Sequence, residues 1–219
     1  MGIPTELTLF LKQCSGAENF VETGTFKGTT AVWASQFFDN VATIEMSEPI
    51  YQETRNRHQH ITNIEFFLGH TVERLKQILS NLNGPTIFWL DAHWSGANTY
   101  GINDECPLIE EIRIINDSGI DSIILIDDAR LFLSPPPLPH KIEAWPDLPS
   151  IIYQLENISK KYIAVLDDCI ISVPEKLKDP LSGYCQKIAD NDLIQERSGA
   201  VNIKKGLINI KNGLRLLIR

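Results

Sequence analysis

Short apolar runs alternate with stretches of helical periodicity along the first 126 residues of the chain. The runs are nearly continuous in apolar character, as strands buried on both faces of a sheet must be. Five strands are predicted, at Asn19–Thr23, Val41–Met46, Ile64–Gly69, Thr86–Leu90 and Ser122–Ile126. Four helices are predicted between them, at Thr29–Phe38, Glu48–His58, Val72–Leu82 and Pro107–Asn116. This alternation predicts an α/β fold with a parallel sheet that is covered by helices on both faces.

The pattern changes after Asp128. Residues 131–149 are rich in proline, which a regular helix or a central strand does not tolerate, so this segment is interpreted as an ordered loop or lid. A helix from about Pro149 to Lys160 is predicted next. The stretch YIAVLDDCIISVP then predicts an antiparallel hairpin that turns at Asp167 and Asp168.

Composition favours a single globular domain. The chain has 219 residues, 43% of them hydrophobic, which is enough for a proper core. We interpret residues 1–219 as one domain with a core at about 19–174 and an extension at 179–219. The last stretch of this extension, AVNIKKGLINIKNGLRLLIR, alternates enough to suggest short strands. The net charge of −8 argues against a nucleic-acid or membrane-surface binder. The sequence has no apolar run near the ~20 residues of a membrane span and no recognisable signal peptide. Its four cysteines are scattered. These features favour a cytoplasmic protein with reduced thiols.

A glycine-containing turn follows the first predicted strand, in the sequence FVETGTFKGTT. A strand, then Gly24 and Gly28, then a helix is an arrangement that holds nucleotide-like ligands, because glycine lets the backbone turn tightly and approach the ligand. Phe26 replaces the middle glycine of the dinucleotide fingerprint. The second strand brings Glu45 about twenty residues later, where an acid can accept hydrogen bonds from ribose hydroxyls. The alternatives are an ordinary turn and a solvated acid at the end of a strand.

Acidic residues end the fourth and fifth predicted strands. Asp91 and His93 follow the fourth strand, two positions apart and thus on one side, and Asp127 and Asp128 follow the fifth. Ligand crevices of open parallel sheets lie outside these carboxyl ends, so the three carboxylates are expected to converge there. A hard cation such as Mg²⁺ would relieve their repulsion. His93 is then a candidate general base, with a metal ligand or a structural hydrogen-bonding residue as the alternatives.

The motifs VETGTFKG, TIEMS, FWLDAHWSG, CPLIEEI and ILIDDAR together resemble a bacterial family of class I S-adenosylmethionine (SAM)-dependent methyltransferases. The resemblance covers Asn19 to Arg130, and the hairpin extends it to about Pro174. It implies a Rossmann-like class I methyltransferase fold, with a mostly parallel seven-stranded sheet that ends in an antiparallel β6–β7 hairpin.

The chain is also similar, more distantly, to Mg-dependent sugar O-methyltransferases of the macrocin and novobiocin type. In those enzymes one acid after the fourth strand and two adjacent acids after the fifth hold Mg²⁺, and Asp91, Asp127 and Asp128 match those positions. The family's base is an aspartate two residues after the first metal ligand, whereas this chain has His93 there. The resemblance thus implies His93 and Asp91 as catalytic residues.

Both resemblances imply SAM as the cofactor, with Mg²⁺ as a second, less certain one. The implied SAM-binding residues are Glu22, Thr23, Gly24, Thr25, Gly28, Thr29, Glu45, Met46, Gly69, His70, Thr71 and Asp91. The expected acceptor is a small hydroxylated molecule such as a sugar or glycan unit, with no nucleic-acid or membrane partner. A homodimer is one option for the oligomeric state.

Two other functions remain open at this level. A metal-dependent hydrolase would use Asp91, Asp127 and Asp128 to hold a metal-bound water, without needing the glycine turn. A non-catalytic SAM or nucleotide sensor would keep the turn without needing the acids. Two further side chains have weaker expectations: Trp94 as core or pocket wall, and His140 as a residue that reaches the site from the proline-rich segment.

Overall fold

The computed structural model of the chain describes residues 2–93 and 105–191. Trp94 and the strands suggested near the carboxyl terminus lie outside the described residues. The chain divides into two compact units, Met1–Lys178 and Asp179–Arg219. The first unit contains every strand described below, and the described part of the second unit, residues 179–191, is helical. The interpretation as a single domain stays a prediction.

In the described residues, seven strands form one sheet in the order β3-β2-β1-β4-β5-β7-β6. The strands are β1 Asn19–Thr23, β2 Asn40–Glu45, β3 Ile64–Leu68, β4 Thr86–Leu90, β5 Ser122–Ile126, β6 Lys161–Leu166 and β7 Cys169–Pro174. Strands β1 to β5 pair in parallel, and β7 runs antiparallel to both β5 and β6. The predicted Rossmann-like fold, including the hairpin that turns at Asp167 and Asp168, is confirmed.

Helices connect the strands and cover both faces of the sheet. They are α1 Thr5–Ser15, α2 Thr29–Ala34, α3 Glu48–His58, α4 Thr71–Leu79, α5 Leu108–Asp117, α6 Arg130–Leu133 and α7 Leu148–Glu156, with 3₁₀ turns at Ile142–Ala144 and Glu175–Leu177. Helices α4, α5 and α7 contact one another in a row, whereas α2 and α3 contact β1 to β3. None of the described helices combines the length and the apolar character that a bilayer crossing requires.

The differences from the predicted elements are an additional first helix, shifted ends of helices and of β2 and β3, and a helical turn in the proline-rich segment. Helix α1 had no predicted counterpart. Helix α2 ends at Ala34 instead of Phe38, and α7 ends at Glu156 instead of Lys160. The expectation that residues 131–149 contain no regular helix is wrong at their start, where Arg130–Leu133 forms one turn. This turn precedes the first proline of the segment, so no proline interrupts its hydrogen bonds.

The centre of the sheet determines where the site lies. All five residues of each of β1, β4 and β5 are buried. Their register pairs Thr23 with Leu90 and Leu90 with Ile126, so the three strands end level with one another. The residues that follow these strands therefore meet at one edge of the sheet.

Candidate functional site

The glycine turn after β1 packs directly on the chain that leaves β4. Gly24 has a φ of 88°, and its N–H donates to the carbonyl of Ile44 at 3.0 Å. A Cβ atom at position 24 would lie 2.4 Å from the carbonyl oxygen of Asp91, so only glycine fits. Gly28 has a φ of 73°, and a Cβ there would lie 2.7 Å from Thr54 Cγ2. The turn thus brings the end of β1 against Asp91.

Glu45 at the end of β2 holds the glycine turn in place. Its Oε2 accepts a hydrogen bond from the Phe26 N–H at 2.9 Å, and its Oε1 accepts one from the Ser47 N–H at 2.8 Å. A carboxylate oxygen has room for a further hydrogen bond, so Glu45 can still receive ligand hydroxyls. The large apolar side chains of Phe26 and Met46 beside it are 56% and 41% exposed. This corner of the crevice therefore offers both an acceptor and apolar surface.

The end of β3 lies next to this corner. Gly69, with a φ of 139°, donates its N–H to the carbonyl of Glu45 at 2.9 Å. His70 is the N-cap of α4, and its Nδ1 accepts from the Val72 N–H at 3.3 Å. Thr71 is buried at the first turn of this helix. The structure thus brings the predicted Gly69-His70-Thr71 segment next to Glu45, and its role in binding SAM stays a prediction.

Several of the predicted SAM-binding side chains lie beneath the turn. Glu22, Thr23 and Thr25 are each less than 5% exposed. The Thr43 hydroxyl donates to Glu22 Oε2 at 2.6 Å, and Thr25 Oγ1 lies 2.6 Å from Thr43 Oγ1. The N–H of Asp91 donates to Thr23 Oγ1 at 3.3 Å. These side chains therefore support the turn from below, whereas Thr29 is exposed at the start of α2.

Burial raises the pKa of Glu22 to about 8, although the hydrogen bond from Thr43 favours the charged form. We expect this carboxyl to make the wild-type protein lose stability as the pH rises from 4.5 towards about 8. The folded chain keeps the Glu22 proton in that window, whereas the unfolded chain releases it, so the native state binds more protons. Glu22→Gln should remove a slope of about 1 kcal/mol per pH unit.

Urea denaturation at intervals across the window measures this slope. Glu18→Gln is the matched control, because Glu18 is exposed one residue before β1. The control should reproduce the wild-type pH dependence. Equal slopes for Glu22→Gln and wild type would show that Glu22 is ionised in the folded protein.

His93 lies between two of the predicted acids. Its Nε2 is 2.7 Å from Asp128 Oδ2 and 3.8 Å from Asp91 Oδ1, and its side chain is 6% exposed. Burial acts to lower the pKa of His93, but the hydrogen bond with Asp128 and the charge of Asp91 outweigh it and raise this pKa. The same hydrogen bond lowers the pKa of Asp128 to about 2. Burial raises the pKa of Asp91 to about 7, with the charges of Asp127 and Asp128 adding to it.

Arg130 and Asp168 complete this cluster, and neither was predicted as a site residue, although Asp168 was predicted at the hairpin turn. Arg130 Nη1 lies 2.7 Å from Asp128 Oδ1 and also pairs with Asp168. Asp168 Oδ1 accepts the Arg130 N–H at 2.8 Å, and the Asp168 carbonyl accepts the Ala129 N–H at the same distance. The β6–β7 turn is thereby attached to the end of β5. An arginine just after two acids was the only available sequence signal.

The acids do not form the predicted metal site as they stand. Carboxylate oxygens are suitable ligands for Mg²⁺. However, both oxygens of Asp128 are engaged, one by His93 and one by Arg130, and Asp127 Oδ1 accepts the Asp128 N–H at 2.7 Å. Within residues 2–93 and 105–191, no group of three or more His, Cys, Asp or Glu side chains is arranged to hold a metal ion. With Asp128 engaged in this way, a Mg²⁺ site on Asp91, Asp127 and Asp128 stays a prediction.

Aromatic side chains of the proline-rich segment adjoin His93. Trp145 is 7% exposed, and its ring centroid lies 5.5 Å from that of His93 and 5.6 Å from that of Phe132. The His140 ring lies 4.9 Å from Trp145 on another side. The structure thus brings His140 near the site through Trp145, which the sequence did not indicate as a site residue.

Comparison with known proteins gives matches at the level of structure. No family model matches the chain, and no curated protein matches it. The structure of a putative caffeoyl-CoA O-methyltransferase from Staphylococcus aureus is similar with a TM-score of 0.50 and 13% identity, over 80% of this chain and 85% of that one. The SAH-bound Podospora anserina methyltransferase PaMTH1 is similar with a TM-score of 0.54 and 17% identity, over 80% of this chain and 79% of that one. The chain therefore has the Rossmann-like fold of class I SAM-dependent methyltransferases.

Proposed function

We propose that this protein is a SAM-dependent methyltransferase that methylates a hydroxyl group of a small molecule such as a sugar or glycan unit. The observation that carries the proposal is the contact between Gly24 and the Asp91 backbone. It places a turn of the kind that holds nucleoside ligands two residues from the buried His93–Asp128 pair. The two similar structures, a putative caffeoyl-CoA O-methyltransferase and a methyltransferase with bound SAH, support the same activity.

The binding half of the site would lie along the ends of β1, β2 and β3. Glu45 would accept hydrogen bonds from the ribose hydroxyls with the lone pairs that Phe26 and Ser47 leave free. Met46 and the Gly69-His70-Thr71 segment would adjoin the adenine. Bound SAM would supply a methyl group on a positively charged sulfur, which makes that carbon electrophilic. The chain itself contributes the cradle and the orientation.

The reacting half of the site would lie at the ends of β4 and β5. When His93 donates its Nε2–H to Asp128, its Nδ1 is left as the proton acceptor. In this role His93 takes the proton of the acceptor hydroxyl as the oxygen attacks the methyl carbon of SAM, whose bond to sulfur would break so that S-adenosylhomocysteine (SAH) leaves. Asp128 fixes the imidazole orientation and stabilises the imidazolium that results, and Arg130 holds Asp128 from its other oxygen.

Calorimetric titration with SAM, with and without Mg²⁺, tests the proposal. We expect wild-type protein to bind SAM, and Glu45→Ala to weaken binding by roughly 1–3 kcal/mol, the scale for hydrogen bonds to a charged group. Glu48→Ala is the matched control, because Glu48 is an exposed acid three residues further along the chain. It should bind SAM as the wild type does.

The same titration separates the alternatives. Mg²⁺ binding without SAM binding would favour the metal-dependent hydrolase and contradict the proposal. SAM affinity that requires Mg²⁺ would support the metal-assisted reaction, which stays a prediction from the resemblance. SAM binding without methyl transfer to any member of a broad panel of hydroxylated sugars would favour the sensor.

A further inference from the structure

Glu105 joins two segments that are distant in sequence. It is 2% exposed and lies shortly before α5, on the chain that leads away from β4. Its Oε2 accepts the indole N–H of Trp145 at 2.9 Å and the backbone N–H of Lys141 at 3.1 Å. His140 Nδ1 lies 3.6 Å from the same oxygen. One buried carboxylate thus accepts hydrogen bonds from two residues of the proline-rich segment, which lie 36 and 40 positions further along the chain.

Phe132 and Trp145 of the proline-rich segment pack in the hydrophobic core, whereas large apolar side chains between them are exposed. Leu133, Leu138 and Ile142 are 57%, 93% and 60% exposed. The backbone hydrogen bonds from His140, Ala144 and Trp145 go to carbonyls within the segment itself, at Pro137, Lys141 and Ile142. Such bonds shape the segment locally but do not attach it to the sheet. The bonds to Glu105 do attach it, because Glu105 belongs to a different part of the chain.

The attachment bears on the site through Trp145. The indole that donates to Glu105 also places its ring against the imidazole of His93, with centroids 5.5 Å apart at 61°. The rings of Phe132 and His140 also pack near the indole, with centroids 5.6 and 4.9 Å from it. Glu105 therefore acts together with the packing of Trp145 in the core to fix the position of the indole beside His93.

We propose that Glu105 is a positioning residue that clamps residues 131–149 to the site and holds Trp145 against the His93 ring. The catalytic consequence rests on the proposed function, whereas the clamp itself does not. Losing Glu105 would leave the indole N–H and the Lys141 N–H without their acceptor, so the segment would open. Trp145 would then move away from His93, and a methyl acceptor bound beside His93 would no longer contact the indole.

Limited trypsin digestion, followed by mass spectrometry, tests the clamp. The exposed side chain of Lys141 provides a cleavage site inside the clamped segment. Cleavage follows the population of the open form, so Glu105→Ala should be cut after Lys141 at least about tenfold faster than wild type. Glu105→Gln keeps a carbonyl oxygen as acceptor and should restore most of the protection. Glu143→Ala removes an exposed acid from the same segment and should behave as wild type.

Cleavage elsewhere separates a clamp from a general loss of stability. Lys76 and Arg113 lie in α4 and α5, outside the proline-rich segment. The rate of cleavage after each of them should be unchanged in Glu105→Ala. Faster cleavage at all three sites, or no faster cleavage after Lys141 than in Glu143→Ala, would overturn the proposal.

Nuclear magnetic resonance of the His93 ring tests the contact with Trp145 directly. The indole ring current should shift the His93 Hε1 signal in wild type and in Glu105→Gln, and the signal should move towards the free-histidine position in Glu105→Ala. His93→Gln assigns the signal. An unchanged signal in Glu105→Ala would overturn the positioning role. Because neither measurement uses SAM, a protein that fails to bind SAM would contradict the proposed function and leave this result standing.

Discussion

Gly24→Ala is expected to abolish SAM binding and to lower the free energy of unfolding more than Gly28→Ala or Gly119→Ala does. The new Cβ would lie 2.4 Å from the carbonyl oxygen of Asp91, 3.0 Å from its carbonyl carbon and 3.3 Å from Ala92 Cα. All three are backbone atoms, so no rotation of a side chain relieves the clash. The φ of 88° adds the strain of a left-handed conformation, about 1–2 kcal/mol. The chain must therefore pull β1 away from the end of β4.

Gly119→Ala is the matched control for this change. Gly119 has a comparable φ of 71°, but a Cβ there would meet no atom within 4 Å. Gly119→Ala should lower the free energy of unfolding only by the backbone strain, and it should leave SAM affinity unchanged. Gly28→Ala should fall between the two, since its Cβ would meet side-chain atoms of Thr54 and His58 and not backbone atoms. Urea denaturation and SAM titration measure both effects, and a Gly24→Ala protein as stable as Gly119→Ala would contradict the geometry of the turn.

Much of the fold could be predicted because its central strands are fully buried. A strand with both faces covered reads as an uninterrupted apolar run, and the predicted bounds of β1, β4 and β5 are those of the structure. Helix ends were less predictable. Helix α2 ends at Ala34, although the apolar residues that predicted it continue to Phe38. Helical periodicity shows which residues face the core, but it does not show where the helical hydrogen bonds stop.

The candidate site was predictable to the extent that strand ends determine it. The parallel register brings Asp91 and His93 level with the residues after β5, and His93 meets Asp128 as a result. Contacts made by loops gave no such signal. Glu105 and Trp145 are 40 residues apart, and neither lies in a periodic pattern that would indicate their hydrogen bond. The roles of such residues depend on how the loops fold back.

The acidic cluster shows a second way in which converging carboxylates can be stabilised. Three acids that converge must have their repulsion relieved, and Mg²⁺ was the predicted means. In the structure His93 and Arg130 bond the two oxygens of Asp128 instead. The positive φ values of Asp128 and Asp168, 55° and 65°, allow the chain to turn so that these groups meet. Conformations of this kind are not visible in the residue pattern.

The pairing of His93 with Asp128 leads to the second large effect. His93→Ala should bind SAM within about twofold of wild type but lose ~10²–10⁴-fold in turnover, the usual range for a general base. Turnover is measured as transfer of a labelled methyl group from SAM to the sugar that wild-type protein methylates best in a panel. His60→Ala is the control, because His60 is exposed beyond the end of α3. It should leave both quantities unchanged.

A variant of Asp128, the hydrogen-bond partner of His93, tests the same role through the pH dependence of turnover. Asp128→Asn keeps the shape of the side chain but removes the charge that raises the pKa of His93. The basic form of His93 would then persist to lower pH, so the rising limb of the pH–rate profile should move to lower pH while its plateau falls. His93→Ala should lack that limb altogether. Wild-type turnover in His93→Ala would show that another group takes the proton. Turnover lost on chelation and restored by Mg²⁺ would show instead that a cation enters the cluster and displaces Arg130 or His93 from Asp128.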